Sequence, residues 1–448
     1  LPSDRLFEPI FTAEAMAAAV SDRAWVQAML DVEAALAAAE ERAGLIPAGT
    51  AAIVAQYCSA DRFDIAAIGR AAAATGTPVI PLVAALTQAV PSQVSGWVHW
   101  GATSQDVLDT AMMLLVRRGL DLALADLDGV AAACATLSHE HRETVMLGRT
   151  LLQPAVPITF GLKAAGWLVA TLDVRRRLAE LRDGGLAVQF GGAAGTLASL
   201  GDAGVKVVRL LAVALGLAEP VLPWHSARGR VAEIGAALGI ACGVMGKIAR
   251  DVALLMQAEV GEVSEPTSAG RGGSSAMPHK RNPVGATAVE AGVRRAHALA
   301  GVLLGAMVQE HERALGGWQA EWETVGEMLR LTGGAVARMR EVVSGLQVDP
   351  DRMRANLDGA RGLPLSEHVT LLLARRMGRR EARALVEAAV QRSSAAGHHL
   401  RDELLADATV LSYCKAAELD DALDPSRYLG ATQMFIDRAL AAYRSAIR

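Results

Sequence analysis

The 448 residues carry 44 basic and 48 acidic side chains, a formal charge of −4, and are 52% hydrophobic with only 4% aromatic residues. That balance excludes a general electrostatic attraction to nucleic acid or to an anionic membrane surface, and the length calls for several domains or one large bundle. Ala, Leu and Val must fill the interior, and because Ala and Leu are strong helix formers the composition predicts an all-α chain.

From Thr12 to about Ala43 apolar residues recur at helical spacing, with Trp25, Met29, Val32 and Leu36 on one stripe and Gly44 as the stop. Shorter pieces follow, up to turn-rich stretches near Pro78 and Pro91. Long helical runs are expected at roughly 109–143, 158–182, 230–263, 284–313 and 321–343. In the third, Val231, Ile234, Leu238, Met245, Ile248, Val252 and Leu255 fall at steps of three, four or seven, the pattern of a helix buried along a broad face. Runs of this length predict an elongated bundle in which few loops are left to carry function. Beyond Asp349-Pro350 the helices become shorter and more charged, with breaks near Gly362 to Pro364 and at Asp424-Pro425. The expected division is an N-terminal helical domain over 1–108, a central long-helix bundle over 109–349 and a C-terminal helical domain over 350–448.

Charged residues interrupt the apolar stretches, so neither a membrane span nor a secretory signal is expected. Cys58, Cys134, Cys242 and Cys414 lie far apart, without metal-ligand spacing, and are expected to be reduced thiols of a cytoplasmic protein.

Three segments carry chemistry. Residues 272–283 read Gly-Gly-Ser-Ser-Ala-Met-Pro-His-Lys-Arg-Asn-Pro. By composition alone an inert hinge explains this stretch equally well. Its polar company argues otherwise: Lys280 holds a carboxylate as a point charge, Asn282 donates an amide hydrogen bond, and His279 adds a further polar group. Together they suit a carboxylate whose α-carbon exchanges a proton, a step that requires fixed donors for the dianionic aci-carboxylate. The second segment runs from His99 to Asp106. It reads as a helix start with Thr103 or Ser104 as cap and Asp106 near the positive dipole end. The free amides and hydroxyls of such a start also make a carboxylate site. The third runs from Met146 to Pro154 and contains Gly148-Arg149-Thr150-Leu151.

The run from Gly273 to Pro283 resembles the signature loop of the fumarase/aspartase superfamily, and the other two segments resemble its remaining conserved regions. The resemblance spans essentially the whole chain, including Leu365-Ser366-Glu367-His368-Val369 near the C-terminus. It implies three helical domains, a homotetramer whose active sites each draw on three subunits, a small polycarboxylate substrate, and no cofactor or metal. Residue by residue, it implies Ser275 as the catalytic base and His99, Thr103, Ser104, Thr150, Gln153, Lys280 and Asn282 as substrate-binding residues. Arg228 joins them as a further cation, with Arg230 and Arg5 as weaker cases. His141, His225, His311, His398 and His399 are read as structural or surface residues.

The chain departs from the superfamily at Leu151, where fumarases and adenylosuccinate lyases have a histidine that helps protonate the leaving group. Amines and hydroxide need that proton. A carboxylate, the anion of an acid with a pKa of about 4, leaves without it. This points within the superfamily to the bacterial 3-carboxy-cis,cis-muconate cycloisomerases of aromatic acid catabolism, which form a lactone by internal carboxylate addition. Trp224, Trp318 and Trp322 agree, standing where adenylosuccinate lyases carry nucleotide-binding groups. An adenylosuccinate-lyase-like C–N lyase is the alternative reading, and a non-catalytic, crystallin-like structural protein a more remote one.

Overall fold

The computed structural model describes residues 6–266, 272–273, 277 and 280–446. Ser275, His279 and Arg5 therefore lie outside the described residues. Among the described residues the fold is all-α apart from two small antiparallel strand pairs. The helix Asp22–Ala43 starts at Ser21, whose hydroxyl accepts the Ala24 N–H at 3.2 Å, and ends at Gly44 in the left-handed region. Because Ser21 is extended, the single run expected from Thr12 is broken into Glu14–Ala19 and Asp22–Ala43.

The five long runs appear as Ser104–Glu140, Phe160–Glu180, Gly229–Leu255, Val284–Gly305 and Gly317–Ser344. Two end well before the point their periodicity suggests. The third stops at Leu255 because Gly261 turns the chain with φ 63° into the strand Val263–Ser264, which pairs with Gln347–Val348. The fourth stops at Gly305, ahead of positive φ values at His311 and Gly316.

Gly229–Leu255 is long and apolar enough to cross a membrane. Yet Val231, Ile234, Leu238, Met245, Ile248, Val252 and Leu255 are all at most 5% exposed, so its stripe is spent on the protein interior. At roughly 1.5–3 kcal/mol for each fully buried aliphatic side chain, that face is a major part of the core.

The chain forms two compact units, each assembled from separated segments. One comprises Leu1–Asp128, Asp173–Lys247 and Thr287–Met339; the other comprises Gly129–Leu172, Ile248–Ala286 and Arg340–Arg448. The core of the first gathers Met29, Val32, Leu82, Leu86, Leu108 and Trp318 around the Asp22–Ala43 helix. In the second, Val369, Leu373, Val386, Leu400 and Leu419 form a C-terminal cluster. All four cysteines are free thiols.

Candidate active site

The start of the Ser104–Glu140 helix is built around one buried carboxylate. Asp106 is 1% exposed and accepts from Thr103 N at 3.0 Å, from Gly191 N and Gly192 N at 2.9 Å each, and pairs with His225 Nε2 at 2.7 Å. The bond to Thr103 N is half of a capping box, with Thr103 as the cap and Asp106 three residues inside. Thr103 and Ser104 themselves are half-buried, so their hydroxyls sit at an anchored helix start with the positive dipole end behind them. Gly101, with φ 69°, permits the turn that precedes them. A Cβ there would stand 2.6 Å from Leu200 Cδ2.

His99 also holds a positive φ, 59°, and its Nδ1 lies 2.6 Å from Glu33 Oε1. Burial disfavours the imidazolium, but the charge and hydrogen bond of Glu33, with a further contribution from Asp106, outweigh it. The His99 pKa is raised above the ordinary histidine value.

One turn into the same helix, Asp109 anchors a second buried network. Arg228 Nη1 and Nη2 donate to its two oxygens at 2.7 and 3.0 Å, Trp318 Nε1 donates at 2.9 Å, and Gln105 and Gln189 each donate at 3.3 Å. Arg228 Nε donates to Glu321 at 3.0 Å, and its Nη2 also reaches Glu321. Trp224 lies under the guanidinium, 4.8 Å from ring centroid to Cζ, and donates its own Nε1 to Val188 O. Arg228, expected from the resemblance to meet substrate, is turned inward in this chain. It is 1% exposed and each of its nitrogens is already engaged by Asp109 or Glu321, so it serves as an internal counter-ion. Trp224 and Trp318 are core residues of this network, and Trp318 packs edge-on against Trp322 at 4.8 Å.

The second unit holds the other two segments. Val145–Thr150 and Gln153–Thr159 form a hairpin closed by Thr150 opposite Gln153. Next to the turn, Arg149 makes a bidentate pair with the fully buried Glu262 at 2.7 and 2.9 Å, and Asn356 donates to the same carboxylate at 2.8 Å. The two turn residues are Leu151 and Leu152, with φ 50° and 65° and exposures of 97% and 71%. A two-residue turn with both φ positive favours Asn-Gly, and leucine there costs about 1–2 kcal/mol per residue. A chain carrying Leu151→Asn and Leu152→Gly is expected to gain about 1–3 kcal/mol, the relieved strain at two residues less the chain entropy that glycine adds, read as a higher urea midpoint. A lower midpoint would show that the two leucines hold contacts outside this chain.

In the 272–283 segment, Asn282 N donates to Gly272 O at 3.0 Å and Gly273 bridges Arg281, which draws the two ends of the segment together. Lys280 is exposed and Asn282 half-buried. Immediately beyond, buried Glu265 accepts from Gly285 N and Ala286 N at 2.9 and 2.8 Å, satisfying free amides at the start of the Val284–Gly305 helix.

The sequence profile of the lyase family matches residues 8–297. The chain belongs to this family. A second profile, that of the adenylosuccinate lyase C-terminus, matches residues 362–439. As a lyase of the fumarase/aspartase type, the chain is similar to a 3-carboxy-cis,cis-muconate cycloisomerase of Bradyrhizobium diazoefficiens, 47% identical over 97% of each chain. It is nearly as similar to a nitrosuccinate lyase of Streptomyces davaonensis, 46% identical over 97% of this chain and 94% of that one. The crystal structure of the 3-carboxy-cis,cis-muconate lactonizing enzyme from Pseudomonas putida superposes with a TM-score of 0.93 at 43% identity, covering 99% of this chain and 100% of that one.

Within this lyase the first unit brings together His99, Thr103 and Ser104, and the second carries Thr150, Gln153, Lys280 and Asn282. Glu33, Asp109 and Glu321 were not singled out in the sequence. The available signal was an acid on an apolar stripe, since Glu33 and Glu40 sit seven residues apart among Val26, Met29, Leu36 and Ala37. Burial, and then the charge of Glu33, push the Glu40 pKa up to about 9, so at neutral pH it is a protonated acid. With the folded value above the unfolded one, near 4.5, no cost arises at lower pH and stability falls as pH rises towards 9. Replacing Glu40 by Gln is expected to flatten that slope and to raise stability by up to about 3 kcal/mol at pH 7, measured by urea midpoints from pH 5 to 9.

Proposed function

We propose that this lyase is a 3-carboxy-cis,cis-muconate cycloisomerase, converting its substrate to a carboxymuconolactone. The likeness to cycloisomerases in sequence and in fold supports the reading, and the observation that sets it apart from amine- or hydroxide-expelling lyases is Leu151. An alkyl side chain at the hairpin tip, in the place of the superfamily's histidine, delivers no proton, which suits a reaction whose leaving group in the reverse direction is a carboxylate.

In the forward direction the substrate's own carboxylate adds to a conjugated double bond. A C–O bond forms and the π pair moves into a second carboxylate, held by Lys280, Asn282, Thr103 and Ser104. The pair then returns to the α-carbon to take a proton from Ser275. The product is an isomer and no fragment departs. Lys280 supplies charge, Asn282 and the helix start supply hydrogen bonds, and these donors must be strongest towards the dianionic intermediate if they are to lower the barrier. Thr150 and Gln153 complete the substrate contacts. In this reading the working form is a homotetramer whose sites draw on several subunits, and the free thiols suit the cytoplasm.

A second reading has a specific observation behind it, the 46% identity to a nitrosuccinate lyase. Nitrite is also a weakly basic leaving group, so Leu151 accommodates it equally well. Incubating the purified protein in parallel with 3-carboxymuconate, nitrosuccinate and adenylosuccinate separates the readings. The proposal expects turnover of the first. Nitrite release with an unchanged diene transfers the assignment to the second reading, and adenylosuccinate cleavage overturns the Leu151 argument.

A further inference from the structure

Glu33 has no part in the reaction scheme above, but it is paired with His99, which the resemblance offers as a substrate-binding residue, and the pair has the construction of a charge-setting device. Glu33 projects from the Asp22–Ala43 helix, and its side chain is 1% exposed against 19% for His99. One Glu33 oxygen meets His99 Nδ1 at 2.6 Å; the other is buried and has no protein partner among the described residues. A carboxylate so placed is stable as an anion only against a cation, because a buried unpaired charge is strongly disfavoured.

Of the titratable groups beside the pair, Glu40 and Cys58 are neutral and Asp106 is negative. Glu40, one helical repeat away, stays protonated, with its pKa near 9. The Cys58 thiol is pushed up to about 12 by burial and by the charges of Glu33 and Asp31, so it is neutral. Asp106, at the anchored helix start, adds negative charge beside His99. His99 is left as the positive partner of Glu33. With Nδ1 engaged, Nε2–H is the ring's remaining donor, on a residue four positions before Thr103.

We propose that Glu33 is a positioning residue that holds His99 as a fixed cation, so that the imidazolium Nε2–H receives one carboxylate of the substrate beside the Thr103–Ser104 helix start. The proposal rests on the cycloisomerase reading for the identity of the ligand, but not for the charge state of His99. A device of this kind adds a cation without a lysine or arginine, whose longer stems lose more conformational freedom on binding.

The test uses full-length protein and three variants, Glu33→Gln, Glu33→Asp and His99→Gln, each shown to fold by its circular dichroism and melting curve. First, the His99 imidazole is titrated by NMR in substrate-free protein labelled with 15N-histidine, its signal assigned by its loss in His99→Gln. The proposal expects Glu33→Gln to move the His99 titration down by about one pH unit or more and Glu33→Asp to restore part of it. An unmoved titration overturns the proposal whatever the substrate proves to be.

Second, kinetics with 3-carboxymuconate are expected to show KM raised roughly tenfold in Glu33→Gln and in His99→Gln at pH 7.5, the loss of one charge-assisted hydrogen bond, with kcat changed much less. The alkaline limb of kcat/KM is expected to shift to lower pH in Glu33→Gln and to vanish in His99→Gln. A uniform loss across pH, with the limb unmoved, would mark Glu33 as merely structural and overturn the proposal. Wild-type protein that leaves 3-carboxymuconate untouched contradicts the cycloisomerase reading instead, and the NMR titration then decides the Glu33–His99 proposal alone.

Discussion

Arg228→Met is expected to cost the protein about 3–5 kcal/mol of stability, the penalty for leaving buried acids without their counter-ion. The side chain is fully enclosed and serves two carboxylates from distant parts of the chain, Asp109 and Glu321, each itself at most 1% exposed. Methionine matches much of the volume but supplies no charge and no donor. Lysine is expected to recover only part of the loss, since one ammonium cannot reproduce the fork that spans both acids. Urea denaturation of the three proteins measures the difference. The decisive contrast is Arg228→Met combined with Asp109→Asn and Glu321→Gln. It is expected to be more stable than Arg228→Met alone, because the stranded charges are gone while Gln105, Gln189 and Trp318 still have a hydrogen-bond acceptor at position 109. If Arg228→Met alone were nearly neutral, the network would not be the internal brace described above.

The second large effect is catalytic. Ser275→Ala is expected to lower kcat with 3-carboxymuconate by about 10²–10⁴-fold, the usual contribution of a positioned proton-transfer group, with little change in KM or in melting temperature. Such a pattern follows if Ser275 acts on the α-carbon only as the proton moves, while Lys280, Asn282, Thr103 and Ser104 still hold the ground state. A rise in KM at unchanged kcat would make Ser275 a binding residue and reassign the proton transfer.

Much of this architecture is legible in the sequence because its causes are local. The buried stripe from Val231 to Leu255 follows from the 3.6-residue period, Gly44 from the need for a left-handed cap, and the helix start at Thr103 and Asp106 from capping chemistry. The hairpin at 145–159 was not legible as strands. Its turn is Leu-Leu rather than Asn-Gly, so the one short-range signal that announces a two-residue turn is missing. The burial of Arg228 is not legible for a different reason. An arginine near a helix start is usually solvated or free to meet a ligand, and what buries it is a pairing with Asp109 and Glu321, 119 and 93 residues away in the chain. Glu33 shows the same limit, being an acid on an apolar stripe whose histidine partner lies 66 residues on. Non-local electrostatics separates ligand-facing charges from bracing ones, and no period or motif encodes it.

The proposed reaction is an isomerisation that protonates no leaving group, and the absorbance of the substrate's conjugated diene reads it directly. Mixing purified wild-type protein with 3-carboxy-cis,cis-muconate at neutral pH is predicted to remove that absorbance catalytically. The product is predicted to be a lactone of unchanged composition. An absorbance that persists through many equivalents of enzyme time, while the same preparation releases nitrite from nitrosuccinate or cleaves adenylosuccinate, would contradict the account.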